Sequence, residues 1–155
     1  MNIMEVKFSA KSENESLARV IVASFAAKLD PTIDELSDIK TAVSEAVTNA
    51  IIHGYEEDET KFVHMRCELI ENTIKVVVED YGKGIEDIEE AKQPMFTSKP
   101  ELERSGMGFS FMESFMDDMQ VASIVGEGTK VIMTKTIEVP NKSNIELRFD
   151  YGDNC

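Results

Sequence analysis

The chain has 155 residues, of which 42% are hydrophobic and 30% charged, and a formal net charge of -14. That length suits one domain with a core of its own, and no apolar run approaches the roughly 18 residues of a membrane span. So acidic a chain lacks the broad basic surface that phosphate backbones attract, which argues against DNA or RNA as partners; a triphosphate would need Mg²⁺, backbone N–H groups and a few placed cations to enter.

The start, MNIMEVKF, has neither the basic region nor the apolar region of a signal peptide, so a cytoplasmic protein with no membrane partner is expected. Cys67 stands in a strand-like run and Cys155 ends a polar tail. Neither has metal-ligand spacing, and no disulfide or zinc site is expected.

Met4, Val6 and Phe8 alternate with polar residues and predict a first strand. Ser12 and Glu15 have the spacing of a capping box, opening a helix that runs on to Leu29. That helix is apolar on more sides than one sheet contact can bury, which invites a partner or a second copy. Asp30 and Pro31 break it, and Thr32 with Glu35 forms another capping box. The next helix, over residues 36–55, buries Leu36, Ile39, Val43, Ala46, Val47 and Ala50 at three- and four-residue steps, with Gly54 as a left-handed cap. Residues 56–61 form a solvated turn. Strands are expected over 62–70 and 73–80, joined as a hairpin at Glu71-Asn72, the second carrying a valine run suited to the middle of a sheet. Residues 81–105 form a loop long enough to be a lid, a helix follows over 109–118, and strands over 121–125 and 129–139 form a last hairpin around Gly126-Glu127-Gly128. Residues 140–155 complete the chain as a flexible tail behind a single domain over residues 1–139. This order predicts an α/β fold, a two-layer sandwich in which three helices cover one face of a mixed, mainly antiparallel sheet.

Glu45, Asn49 and His53, four residues apart, share one edge of the long helix. A carboxylate beside a carboxamide there can hold a metal ion or position a reacting hydroxyl; polar residues also simply border a buried face. Asp80-Tyr81-Gly82-Lys83-Gly84 follows a buried strand, where an aspartate can accept a hydrogen bond from an exocyclic amine and glycines admit a ligand to the backbone; D-x-G-x-G is also an ordinary turn. Ser105-Gly106-Met107-Gly108 precedes a helix, whose start can offer N–H groups to an anion or merely be capped. Thr97, Ser98, Lys99 and Arg104 are candidates for phosphate contacts in the intervening loop. Thr129 follows the last glycines and is a candidate or a plain strand residue.

These pieces in this order resemble the ATP-binding fold shared by DNA gyrase B, a heat-shock chaperone, histidine kinases and a mismatch-repair ATPase, the Bergerat or GHKL superfamily. The segments SEAVTNAIIHGYEE and QPMFTSKPELERSGMGF look like the anti-sigma F factors of spore-forming bacteria, small serine kinases that also hold a sigma factor inactive. The resemblance spans about residues 4–139. It implies Glu45 as the general base that orients the attacking hydroxyl, Asn49 as the Mg²⁺ ligand, and Asp80 as the partner of the adenine amino group, with Thr129 supporting it through water. Gly82 and Gly84 would let adenine lie close to the loop, and Gly106, Met107 and Gly108 would offer N–H groups to the phosphates, with Arg104 as a cation. ATP and Mg²⁺ are thus the implied cofactors, and a sporulation sigma factor and an anti-anti-sigma substrate protein the implied partners. A homodimer through the first strand and helix is also expected, with Arg19 reaching a protein partner. No histidine-bearing dimerisation helices stand ahead of the domain, which suits transfer to a partner's serine. His53 fits a structural cap better than a phosphorylated histidine. The alternatives are a nucleotide-gated binding module without catalysis and a related stress-response anti-sigma kinase.

Overall fold

The computed structural model describes residues 1–93 and 108–138. Five strands form one sheet: β1 (Asn2–Ser9), β2 (Phe62–Ile70), β3 (Thr73–Asp80), β4 (Asp118–Ile124) and β5 (Gly128–Thr136). Their order is β1-β2-β3-β5-β4, and every pairing is antiparallel, where a mixed sheet was expected. Three helices pack on one face: α1 (Asn14–Ala26), α2 (Ile33–Asn49) and α4 (Gly108–Phe115). A single further turn, α3 (Ile88–Ala91), lies within the long loop and was not foreseen. The expected tail and the loop residues Thr97, Ser98, Lys99, Arg104, Ser105, Gly106 and Met107 lie outside the described residues.

Two-residue periodicity explains the sheet. Val63, Met65, Cys67 and Leu69 of β2 and Ile74, Val76, Val78 and Asp80 of β3 all point into the core. The valine run does occupy the centre of the sheet, yet only Val76 and Val78 are buried; Val77 faces outward opposite Ile132. On that outer face charged side chains pair, Arg66 with Glu5 at 2.6 Å and Glu68 at 2.9 Å, and Lys130 with Glu79 at 3.6 Å. Such exposed pairs stabilise little, but they keep an open sheet face soluble.

The helices close the core with Ala18 and Val22 of α1, Ile39, Val43 and Val47 of α2, and Met112 of α4. Thr32 and Glu35 form the expected capping box, with Oγ1 accepting from Glu35 N–H at 3.1 Å and Glu35 Oε1 accepting from Thr32 N–H at 2.9 Å. The other oxygen, Oε2, takes the N–H of Glu138 at 3.1 Å and so ties the exit of β5 to the start of α2. The box expected at Ser12 does not form. Glu13 is already in a helical conformation as N-cap, with no side-chain cap bond, because the chain turns tightly off β1. Ala10 N–H is tied to the Lys61 carbonyl and Asn14 Nδ2 to the Ser9 carbonyl, both at 2.9 Å, and Ser12 offers Glu15 its carbonyl.

Gly54 is not a left-handed cap either. Beyond Asn49 the helix widens into one π turn, Ala50–Gly54, and the positive φ angles fall on Glu56 (51°) and Glu57 (62°). A π turn of this kind re-aims side chains at a helix end. Here it turns His53 and Gly54 toward the sheet.

Candidate nucleotide-binding site

Asp80 ends the central strand on its core face and is only 5% exposed. Its Oδ1 accepts the N–H of Gly82 at 3.0 Å, and the Thr129 N–H also points at the carboxyl. Burial pushes its pKa up to about 6, partly opposed by those two N–H groups and reinforced by the Glu79 carboxylate. A buried carboxyl that carries spare lone pairs and takes no cation among the described residues is poised for a donor from outside.

The loop after Asp80 is threaded between two other elements. Gly54 approaches so closely that a Cβ on it would lie 2.5 Å from Asp80 Oδ1, and a Cβ on Gly82 would collide with the Gly54 carbonyl. That carbonyl accepts the Lys83 N–H at 3.0 Å, and the Lys83 carbonyl accepts the Gly126 N–H at 2.7 Å. Gly84 adopts φ 78°, open to glycine at no steric penalty. Below the loop, buried Tyr55 donates its hydroxyl to the Phe62 carbonyl at 2.7 Å and accepts the Tyr81 N–H at 2.8 Å.

Between α2, the loop, α4 and β5 lies a cavity of about 430 Å³, within the ~300–1,000 Å³ usual for small-molecule sites. Ala46, Ala50, Val78, Phe109 and Val131 form apolar walls, Asp80 and Thr129 a polar end. Lys83, Glu86, Asp87 and Glu90 stand on its other side, beside α3. A flat apolar base with one polar edge matches that distribution. Asn49, Gly84 and Gly108 line the same cavity. Gly108 opens α4 so close to Asn49 that a Cβ there would lie 2.9 Å from Asn49 Nδ2, which directs the helix start and the carboxamide to one place.

The cavity thus gathers Asn49, Asp80, Gly84, Gly108 and Thr129 from four separate stretches, with Gly82 packed directly behind. Glu45 stands one turn before Asn49, half-buried and outside the cavity wall. Arg19 lies elsewhere, donating from Nη1 to Ser44 Oγ at 2.8 Å between α1 and α2. His53 also lines the cavity. Ser123 was missed altogether, although its hydroxyl holds Thr129 Oγ1 at 2.8 Å and Ile85 N–H at 2.8 Å. Among the described residues no three His, Cys, Asp or Glu side chains gather as a metal site. Mg²⁺ fits such a place when one side chain, here Asn49, joins ligand oxygens and waters.

Residues 8–135 match the histidine kinase-like ATPase domain family. The anti-sigma F factor of Clostridium perfringens (strain SM101) is 63% identical over 134 residues, 86% of this chain and 96% of that protein. The anti-sigma F factor of Anoxybacillus flavithermus is 59% identical over 134 residues, 86% of this chain and 92% of that protein. The chain belongs to the anti-sigma F factor family. The fold of this anti-sigma F family member also matches a crystal structure of the RsbU and RsbW domains of Rv1364c from Mycobacterium tuberculosis, with a TM-score of 0.64 and 16% identity over 90% of this chain. The chain spans about a third of that protein, covering 33% of it, so the likeness is one of fold. No helix among the described residues is long and apolar enough to cross a membrane.

Proposed function

We propose that this chain is an ATP-dependent anti-sigma factor and protein-serine kinase, which binds and inhibits a sporulation sigma factor and phosphorylates an anti-anti-sigma protein on serine. The observation that carries the reading is the buried Asp80 carboxyl at the polar end of a cavity of about 430 Å³, in a chain of the anti-sigma F family.

Asp80 accepts from the exocyclic amine of adenine, and Gly82 and Gly84 keep the loop close against the base. Thr129 completes the polar end. Asn49 is the residue that would hold Mg²⁺, and the ion would supply charge neutralisation that an acidic protein does not. The start of α4 at Gly108 meets Asn49, which suits phosphates at the positive end of a helix. Thr97, Lys99, Arg104, Ser105, Gly106 and Met107, which lie outside the described residues, are the candidates for the remaining phosphate contacts. Glu45, one turn before Asn49, orients the serine hydroxyl and takes its proton as the γ-phosphoryl group passes to the serine oxygen and its bond to the bridging oxygen breaks, with ADP as the leaving group. Phosphoryl transfer needs little more from a protein than positioning and charge.

Assembly follows from the open edge of the sheet. Among the described residues β1 has a neighbour on one side only, and α1 exposes Leu17 (44%) and Val20 (65%). A homodimer in the cytoplasm covers both by two-fold symmetry, with Arg19 left to meet the sigma factor or the substrate protein.

Glu45→Ala tests the catalytic half. Transfer of radiolabelled γ-phosphate to an anti-anti-sigma protein should be lost while ATP and sigma factor are still bound. A second reading is a nucleotide-gated binding module without transfer. Unchanged transfer by Glu45→Ala would remove Glu45 as base, and no transfer by the parent would leave the binding module.

A further inference from the structure

The register of β4 and β5 sets Ser123 directly opposite Thr129. Three groups meet the Ser123 hydroxyl: the Ile85 N–H at 2.8 Å, the Gly128 carbonyl at 3.0 Å and the Thr129 hydroxyl at 2.8 Å. A serine hydroxyl has one proton to give and two lone pairs to accept with. The N–H can only donate and the carbonyl can only accept. All three contacts are hydrogen bonds together in one arrangement: Ser123 donates to Gly128 and accepts from Ile85 and from Thr129. In the reverse arrangement Ser123 and the Gly128 carbonyl would face each other as two acceptors.

The Thr129 proton is therefore committed, and toward the cavity Thr129 Oγ1 has only lone pairs left. Asp80, its cross-strand neighbour, accepts N–H bonds and likewise presents oxygen lone pairs. Both polar side chains at this end of the cavity are then acceptors. A water held between them would pass the polarity on, its two hydrogens taken by two acceptors and its lone pairs turned to the base.

We propose that Ser123 sets the base selectivity of the site by taking the Thr129 proton, so that the cavity selects a purine with an exocyclic amine over one with an oxo group at the same position. The inference rests on the nucleotide-binding reading above. Ser123 touches no base; it is a positioning residue that acts through Thr129.

The test is calorimetry of ATP and ITP, whose bases differ in the amine and oxo group and in the proton that the oxo base carries on N1, with purine riboside triphosphate, which lacks only the amine, as the reference for N1, on the full chain with Mg²⁺. The parent should prefer ATP. In Ser123→Ala the Thr129 proton is released and can donate to the oxo group, so the ratio of affinities should narrow about tenfold, mainly through tighter ITP binding. Ser123→Thr keeps a hydroxyl and should restore the parent ratio, which simple loosening of the hairpin would not do. Thr129→Val removes the polarised group and should also narrow the ratio, after which adding Ser123→Ala should change it no further. Circular dichroism checks folding; should Ser123→Ala fail to fold, Ser123→Cys, whose thiol accepts only weakly, takes its place. A parent-like ratio in a folded Ser123→Ala or Thr129→Val overturns the role of Ser123 and leaves ATP binding standing. Binding of neither nucleotide by the parent overturns the nucleotide reading itself.

Discussion

Asp80→Asn should make the nucleotide-free protein more stable, and increasingly so as pH rises. The carboxyl titrates at about 6 in the fold against an ordinary value of 3.8, because burial disfavours its charge. Between those two values the folded chain holds more protons than the unfolded one, so stability falls as pH rises through the window. At ~1.4 kcal/mol per pH unit, the loss is roughly 3 kcal/mol at pH 7.5 and about half that at pH 5. An asparagine never carries the charge. It keeps an acceptor for Gly82 but turns an amide toward other N–H groups, a pH-independent penalty of about 1 kcal/mol. The stability difference between variant and parent should therefore grow by about 1.5 kcal/mol between pH 5 and pH 7.5. Urea unfolding of both proteins at the two pH values measures it, and the other carboxylates cancel in the difference. ATP affinity should move the opposite way, falling about tenfold or more, since an amide donor now faces the adenine amine. A difference in stability that does not change with pH would refute the buried, raised carboxyl, and undiminished ATP affinity would refute its role at the base.

Tyr55→Phe strips a partner from the Tyr81 N–H and the Phe62 carbonyl, so the midpoint of thermal unfolding should drop by an amount corresponding to about 1–3 kcal/mol. Calorimetry of Asn49→Ala should show weaker Mg-ATP binding with little change in metal-free ATP binding, and an equal affinity for Mg-ATP would end the assignment of Asn49. Sedimentation at micromolar concentration should give a dimer, and Leu17→Glu or Val20→Glu should shift it toward monomer if α1 lies in the interface.

What could be read from the chain alone was local. β2 and β3 ran where alternation and the Glu71-Asn72 turn put them, and Thr32 met Glu35 because a capping box spans only three residues. The same pattern at Ser12 failed, since the conformation there follows from ties to Lys61 and Ser9 made by a strand and a turn. The candidate residues from Asn49 to Thr129 were legible as residue types, and Asp80 at a strand end already pointed to the site. Gly54 misled because a glycine near a helix end suggests a cap, whereas its use here is to let in a carboxylate 26 positions later. Ser123 was hidden by register: the hairpin turns one residue earlier than expected, at 125–127, which makes Ser123 and not Val125 the partner of Thr129. Composition, periodicity and short motifs thus determined the elements and their order. The partner of each polar group was decided by the sheet, because hydrogen bonds between distant segments depend on register and close approach, and no window of neighbouring residues contains either.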